Sequence, residues 1–283
     1  MKRLPEDMSK ETIDMVMQRI DEAGIRQVVL NTIGETLLAP HLEYALRESK
    51  KRQLFVLVST NGQNLSEENV RILLEGQCDI LRISVNAISP EKYGLLHEGG
   101  SFEQLLGNLE RLKAKRDAGF LHTAIRVRCV LPPHGGKESG EESKEELAAF
   151  WGPYADETEF VTFGNMGGRN GAPPVADEDR VGCITMKRGL NITANGGVTY
   201  CPCDFDAECV VGNIYHASLA AIWQGEAFSQ IRALHDACDF RSLPKCAFCD
   251  ATRRGWYKKK FPKVCEQEAT IMDAYFTGWR EQL

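Results

Sequence analysis

The chain has 283 residues, 43% hydrophobic and 26% charged, which is the composition of a soluble globular protein with a full-sized core, in one large domain or one large and one small. A net charge of −6 argues against a nucleic-acid binder that works by bulk positive charge. No apolar run approaches the roughly 20 residues that span a membrane, and the opening MKRLPEDMSKET has no apolar h-region, so a cytoplasmic protein without membrane or nucleic-acid partners is expected.

Residues 9 to 23 predict an amphipathic helix, with Ile13, Val16, Met17 and Ile20 on one face and Gly24 at its end. IRQVVLNTIGE follows as a β-rich run closing at Gly34, then a helical stretch from His41 to Lys51 and a strand, LFVLVSTNG. Ser66 is a predicted N-cap, with Glu67 and Glu68 in the first turn and Gly76 beyond the last. DILRISVNA is the next strand, and a helix opens at Ser101 with Gln104 completing a capping box. HTAIRVRCVL is a strand that stops at Pro132 and Pro133; residues 134 to 147 read as a polar, mobile loop entering a helix, and TEFVTFGNMGG is one more strand. Strands alternating with helices imply parallel βα units, in an open sheet or a partial barrel. Small and polar residues gather where the strands end: Gly34-Glu35, Ser59 to Gly62, Ser84 to Asn86, and Asn165 to Arg169. Ligands bind at that edge of parallel α/β folds, although Gly, Asn and Ser are also the ordinary residues of turns.

Ten cysteines in a cytosolic chain point to metal or redox chemistry ahead of disulfides. Cys78 and Cys129 lie alone in the first half, and the other eight fall between positions 183 and 265. After a Pro- and Gly-rich linker, Cys183 and Cys201 flank a predicted hairpin whose Asn195-Gly196 turn can bring both thiols to one end of two paired strands. A single predicted helix, SLAAIWQGEAFSQIRALHD, then returns the chain to Cys246 and Cys249, a CxxC that lets two thiolates face one metal centre. Four thiolates arriving this way make a tetrathiolate site. Structural zinc usually takes two tight knuckles and only one is present, while a redox pair at Cys246 and Cys249 leaves Cys183 and Cys201 unexplained. An iron–sulfur cluster accepts cysteines from well-separated segments and is preferred here over zinc, and zinc over the redox pair.

The span from Cys183 to Asp250 resembles the SPASM domain found at the C-terminus of many radical S-adenosylmethionine (radical SAM) enzymes. It runs Cys183, twelve residues, Gly196, four residues, Cys201, Asp204, VGN, SLAAIW, Arg232 and the CxxC. Residues 8 to 170 resemble the radical SAM partial barrel from its second strand onward: GETLLAP stands where the family has its Gly-Glu-Pro motif, STNG ends the third strand, RISVNAISPEKY the fourth, and GGSFEQLLGNLERLK matches the helix that follows. The resemblance implies a partial (β/α)6 TIM-like barrel lacking its first strand over residues 1–172, and a SPASM-like auxiliary iron–sulfur domain with a C-terminal helix over 173–283. It implies that Gly34 and Glu35 meet the methionine moiety of S-adenosylmethionine and that Ser59, Asn61 and Ser84 line its ribose and carboxylate region, with Thr36 departing from the usual proline. It implies one auxiliary 4Fe–4S cluster on Cys183, Cys201, Cys246 and Cys249, with Cys203 a possible extra ligand. The two-cluster pattern has further cysteines soon after the CxxC, whereas here the next is Cys265. The expected partners are a peptide or small-molecule substrate, modified by radical chemistry, and an electron donor such as flavodoxin or ferredoxin.

The family makes its radical on a 4Fe–4S cluster held by CxxxCxxC after the first strand, and that motif occurs nowhere in this sequence. The expectation is that the sequence begins at an internal methionine of a longer protein, the alternative being loss of the radical-generating cluster; either way the chain as written is not expected to cleave S-adenosylmethionine reductively. The rival function is a non-catalytic iron–sulfur or zinc scaffold derived from the same fold. Asp204 is expected to accept backbone N–H bonds in its turn. Cys238 and Cys265 are read as helix packing, Trp223 as core, and RRGWYKKKFPK (253 to 263) as a solvated basic face. His97, His122, His216 and His235 show no ligand spacing and are assigned no role.

Overall fold

A computed structural model describes residues 6–31, 34–131, 142–162, 164, 165, 167 and 180–252. The basic stretch 253–263, Cys265, and Met166, Gly168 and Arg169 of the last predicted strand end lie outside these residues. The chain divides into two units, Pro5–Phe163 and a second that begins at Gly164.

In the first unit, β1 (Gln27–Leu30), β2 (Phe55–Thr60), β3 (Ile80–Ser84), β4 (Ala124–Leu131) and β5 (Glu157–Thr162) pair in parallel in chain order. Parallel neighbours need a crossover, supplied by α2 (Leu42–Lys51), α3 (Glu67–Glu75), α4 (Pro90–Leu96) with α5 (Phe102–Asp117), and α6 (Lys144–Trp151), with α1 (Lys10–Ala23) ahead of β1. Each of β1 to β4 lies within a predicted run, β5 overlaps one and ends at Thr162, and the predicted Ser66 cap and Gly24 stop are present. Ser9 Oγ accepts the Thr12 N–H at 3.2 Å, Ser66 Oγ accepts that of Asn69 at 3.2 Å, and Gly24 closes α1 at φ +66°.

Two local features differ from expectation. The sequence reading passed over α4, a short helix that starts with Pro90 where no backbone donor is needed, capped by Ser89. Ser101 caps α5, but Gln104 does not close the box. Its amide donates to the Gln63 carbonyl at 2.8 Å, while Gln63 Oε1 takes the Ser101 N–H at 2.9 Å. A residue of the β2–α3 loop thus replaces the helix's own glutamine and ties that loop to α5.

Strand alternation sets the two faces of the sheet. Val56, Val58, Leu81, Ile83, Ile125, Val127 and Cys129 are fully buried in one core with Leu46, Leu73, Leu105 and Leu109 from the helices. Burial pushes the Cys78 and Cys129 thiols up to about 12, which makes them inert packing groups. The alternate positions are polar and matched in register: Ser59, Arg82, Arg126 and Glu157, then Ser84, Arg128 and Glu159. Arg128 grips Glu159 through two bonds of 2.9 Å. Burial raises Glu159, but the Arg128 bond and the fields of Arg128, Arg82 and Arg126 more than offset it and hold the carboxyl below its usual range.

The N-terminal edge of the sheet is pinned by acids. Asp79 accepts the Val56 N–H at 2.7 Å, and Asp156 accepts the Ile125 N–H at 2.7 Å and a fork from Arg116. The other edge carries the turns, where Gly62 sits at φ +78° and a Cβ would lie 2.5 Å from Leu105 Cδ1 and 2.9 Å from Ile83 Cγ2. Both strain and overlap oppose a side chain there, so Gly62→Ala should destabilise the chain by about 1–3 kcal/mol. The check is a lower urea midpoint at unchanged slope.

In the second unit, β6 (Asn191–Ile192), β7 (Gly197–Thr199) and β8 (Val210–Asn213) form an antiparallel sheet, with the predicted turn closed at Gly196, φ +80°. The single helix predicted after it is two, α7 (Leu219–Gln224) and α8 (Glu226–Asp236). Gly225 is extended between them and caps both. Glycine is a poor interior helix residue, by about 1 kcal/mol against alanine, and here it ends one helix and starts the next. Met186, Tyr200, Phe228, Phe240, Leu243 and Cys246 form the second core, with Trp223 half-buried against it.

Candidate metal centre

Three cysteines open tight turns of the same kind. The Met186 N–H returns to the Cys183 carbonyl, that of Asp204 to Cys201, and that of Cys249 to Cys246, each at 3.1 Å. Cys201 follows directly on Tyr200 at the end of β7. The Asp204 carboxylate then closes its loop as expected, accepting the N–H groups of Glu208 at 3.0 Å and Cys209 at 2.8 Å. The Val181 N–H bonds the Thr252 carbonyl at 2.8 Å, which lays the segment leading to Cys183 alongside the one leaving the CxxC.

The thiols sense one another. Burial raises Cys246, and the fields of Cys201, Cys249 and Cys183 raise it further. Cys249 is pushed up to about 11 by burial and by Cys183 and Cys201. Cys201 is raised by its hydrogen bond with Cys203 and by burial, while the same bond lowers Cys203 against the opposing fields of Cys249 and Cys183. The four predicted ligands and Cys203 therefore occupy one neighbourhood. Cys209 stands at its margin, raised chiefly by burial and partly relieved by a hydrogen bond from Tyr200. Cys238 lies just past α8 at φ +55°, not within a helix, its thiol 3.7 Å from the Arg180 carbonyl oxygen. Thiolates that raise each other this way, with Asp204 and Asp250 among them, are a donor set matched by a group of metal cations, whose charge turns each mutual penalty into attraction. On that test the residues fit an iron–sulfur centre. Among the described residues no three His, Cys, Asp or Glu side chains already enclose a single-ion position.

Three residues of this neighbourhood escaped the sequence reading. His235, assigned no role from spacing, is 1% exposed; its Nδ1 accepts the Cys183 N–H at 3.1 Å and its Nε2 lies 3.4 Å from Cys246 Sγ. Burial and the charge of Arg180 pull it down to about 4, so the ring is neutral. Arg180, also 1% exposed, wraps the CxxC loop: it donates to the carbonyls of Cys246, Ala247 (3.3 Å) and Cys249 (3.2 Å) and to Thr252 Oγ1 (3.0 Å), and stacks on Phe240. Asn165, read as a sheet-end residue, belongs instead to the second unit. Its N–H reaches Asp250 Oδ1 at 2.9 Å, its Oδ1 takes the Asp250 N–H at 3.1 Å, and its side-chain amide bonds the Phe248 carbonyl.

The residues expected to face S-adenosylmethionine lie in the first unit, at or beyond the C-terminal ends of β1, β2 and β3. Gly34 is exposed at φ +87°. Glu35 accepts from the Thr60 hydroxyl at 2.6 Å, the Asn61 N–H at 2.8 Å and the Leu37 N–H at 3.0 Å, so its carboxylate joins the ends of β1 and β2. Ser59 Oγ accepts from Arg82 at 2.9 Å, Asn61 Oδ1 takes the Gln63 N–H at 2.9 Å, and Ser84 ends β3, half-buried.

Residues 1–134 match the model of the radical SAM superfamily, and residues 183–250 match that of the SPASM iron–sulfur cluster-binding domain. An uncharacterised protein of Treponema pallidum is 26% identical over 264 residues, covering 86% of this chain and 69% of that one. Among solved structures, BtrN in complex with AdoMet and 2-DOIA superposes with a TM-score of 0.59 at 16% identity, over 88% of this chain and 82% of that one. Streptococcus suis SuiB bound to its precursor peptide SuiA does so with a TM-score of 0.60 at 14% identity, over 88% and 65%. No helix among the described residues is long and apolar enough to cross a membrane. The fold is thus that of these solved structures, and the chain carries a radical SAM superfamily region over residues 1–134 and a SPASM domain over residues 183–250.

Proposed function

We propose that this chain is the substrate-handling core of a radical SAM/SPASM enzyme acting on a peptide or a polar small molecule, with one auxiliary 4Fe–4S cluster on Cys183, Cys201, Cys246 and Cys249. The observation that carries this is the set of thiols from three separate segments, with Cys246 and Cys249 buried in the fields of Cys183 and Cys201. When bound, such a cluster supplies a one-electron path to or from a substrate. The chain's own residues shape what surrounds it. Arg180 holds the CxxC loop closed, Asp204 fixes the Cys201 turn, and Cys203 stands beside Cys201 as a fifth thiol.

In the first unit, Gly34, Glu35, Ser59, Asn61 and Ser84 are proposed to receive S-adenosylmethionine. Glu35 keeps the ends of β1 and β2 together, and Gly34 leaves its backbone bare for close approach. The polar sheet face of Arg82, Arg126, Arg128, Glu157 and Glu159 favours a polar substrate over an apolar one. The peptide in SuiB and 2-DOIA in BtrN support both substrate classes. A flavodoxin or ferredoxin is the proposed electron source.

Anaerobic reconstitution with iron and sulfide tests the reading. The expected product is brown, holds about four irons per chain and absorbs near about 400 nm, with dithionite bleaching the band. Colourless protein holding one zinc would replace it with the scaffold reading. Because the sequence contains no CxxxCxxC, the same 283-residue preparation should form no 5′-deoxyadenosine with dithionite, as a four-thiolate cluster leaves no iron open.

A further inference from the structure

The His235 ring is fixed at both nitrogens. A main-chain amide can only donate, so the Cys183 N–H at 3.1 Å requires an Nδ1 without hydrogen. A ring that accepts at Nδ1 carries its hydrogen on Nε2, which lies 3.4 Å from Cys246 Sγ, within reach of an N–H···S bond. The ring has little freedom to leave. It is 1% exposed, and Phe240 meets it edge-on at 5.0 Å between centroids. Gly182 lets the neighbouring chain come close enough for the Cys183 bond, since a Cβ there would stand 2.9 Å from the His235 carbonyl oxygen.

We propose that His235 is a positioning residue for the auxiliary centre. It braces two cysteines from distant segments against one ring, and its Nε2–H draws charge from the Cys246 sulfur, which favours the reduced cluster. Hydrogen bonds to ligand sulfurs raise cluster potentials, and partners of this kind orient the ligands they touch. The inference rests on the proposed ligand set, and the experiment separates the two.

The full chain and its His235→Gln and His235→Phe variants are reconstituted with iron and sulfide. Iron is assayed first, then the midpoint potential by EPR-monitored titration, then nitrogen coupling to the reduced cluster by pulsed EPR on ¹⁵N-histidine-labelled protein. Iron binding by the unsubstituted chain tests the cluster reading by itself; a chain that binds none sinks both proposals. With iron bound, His235→Phe should keep the iron but lose about tenfold in reduced-to-oxidised ratio at a given potential, equivalent to about 59 mV for one electron. His235→Gln, which keeps a donor, should recover most of that difference, and a weak nitrogen coupling should be present in the parent and absent in both variants. If His235→Phe fails to load, the parent's coupling and the His235→Gln potential decide the matter. An unchanged potential in a loaded His235→Phe protein, or no nitrogen coupling in the parent, overturns the proposal. So does a strong coupling of directly bound imidazole with iron lost from both variants, which would make His235 a ligand.

Discussion

Serine at position 246 or 249 should reduce the iron held by the reconstituted chain from about four per polypeptide to less than one, and the colour with it. Cys246 is 7% exposed and lies under the influence of Cys201, Cys249 and Cys183, so no water or outside ligand can easily take its place. Cys249 shares its turn, and the Arg180 fork fixes the loop that presents both. A serine hydroxyl is a harder and far weaker acid than a thiol, and burial that already raises Cys249 to about 11 would keep the alcohol protonated. Cys183→Ser and Cys201→Ser should behave in the same way. Cys209→Ser and Cys238→Ser should keep their iron, as the Cys209 thiol is hydrogen-bonded by Tyr200 and the Cys238 thiol faces the Arg180 carbonyl oxygen at 3.7 Å. Cys203→Ser is the discriminating variant: as a fifth thiol it should leave at least three of about four irons in place. Equal losses in Cys201→Ser and Cys203→Ser would show that the ligand set has been drawn wrongly at the CPC turn.

What could be read from the sequence and what could not divide along a physical line. The Ser66 cap, the Asn195-Gly196 hairpin and the alternating strands are local: each follows from residues within a few positions, and each stands where it was expected. The partial barrel and the SPASM domain were legible through ordered motifs. Gly225 misled because an amphipathic pattern runs through both α7 and α8, and only the extended backbone shows that the glycine ends one helix and opens another. Gln104 misled because a partner from another loop outcompeted the local one. His235, Arg180 and Asn165 were beyond reach for a stronger reason. Their hydrogen-bond partners lie 11 and 52 positions away for His235, 66 to 72 for Arg180 and 83 to 85 for Asn165. Most of those partners are backbone atoms, which every residue carries, so no pattern of residue types marks them. The one weak cue is position, since Arg180 precedes Cys183 and His235 ends the helix leading to the CxxC.

Arg180→Met should weaken the second unit by about 3–5 kcal/mol, the scale of losing several hydrogen bonds from a charged donor at about 1.5–3 kcal/mol each, less the desolvation relieved. The sign is not obvious, because a buried guanidinium carries a desolvation penalty and an apolar replacement would remove it. The partners decide the sign. Arg180 bonds the carbonyls of Cys246, Ala247 and Cys249, and these cannot be replaced along with it. The Cys246 and Cys249 carbonyls each keep a second donor, the Cys249 N–H and the Thr252 hydroxyl. Hydrogen bonds from a charged donor nevertheless contribute about 1.5–3 kcal/mol apiece, so losing several outweighs the relief, and lost stacking on Phe240 at 3.9 Å adds to the deficit. Arg180→Lys should recover little, as an ammonium cannot span several carbonyls in one plane. Two measurements on the full chain check this. Amide exchange in a peptide covering residues 243–252 should accelerate, with the sheet of the first unit unchanged. Iron loss to a chelator should quicken at least about tenfold, the equivalent of roughly 1.4 kcal/mol in the grip of the CxxC loop. Unchanged exchange in that peptide, with iron held as firmly as in the parent, would mean that Arg180 fills space beside the centre without holding it.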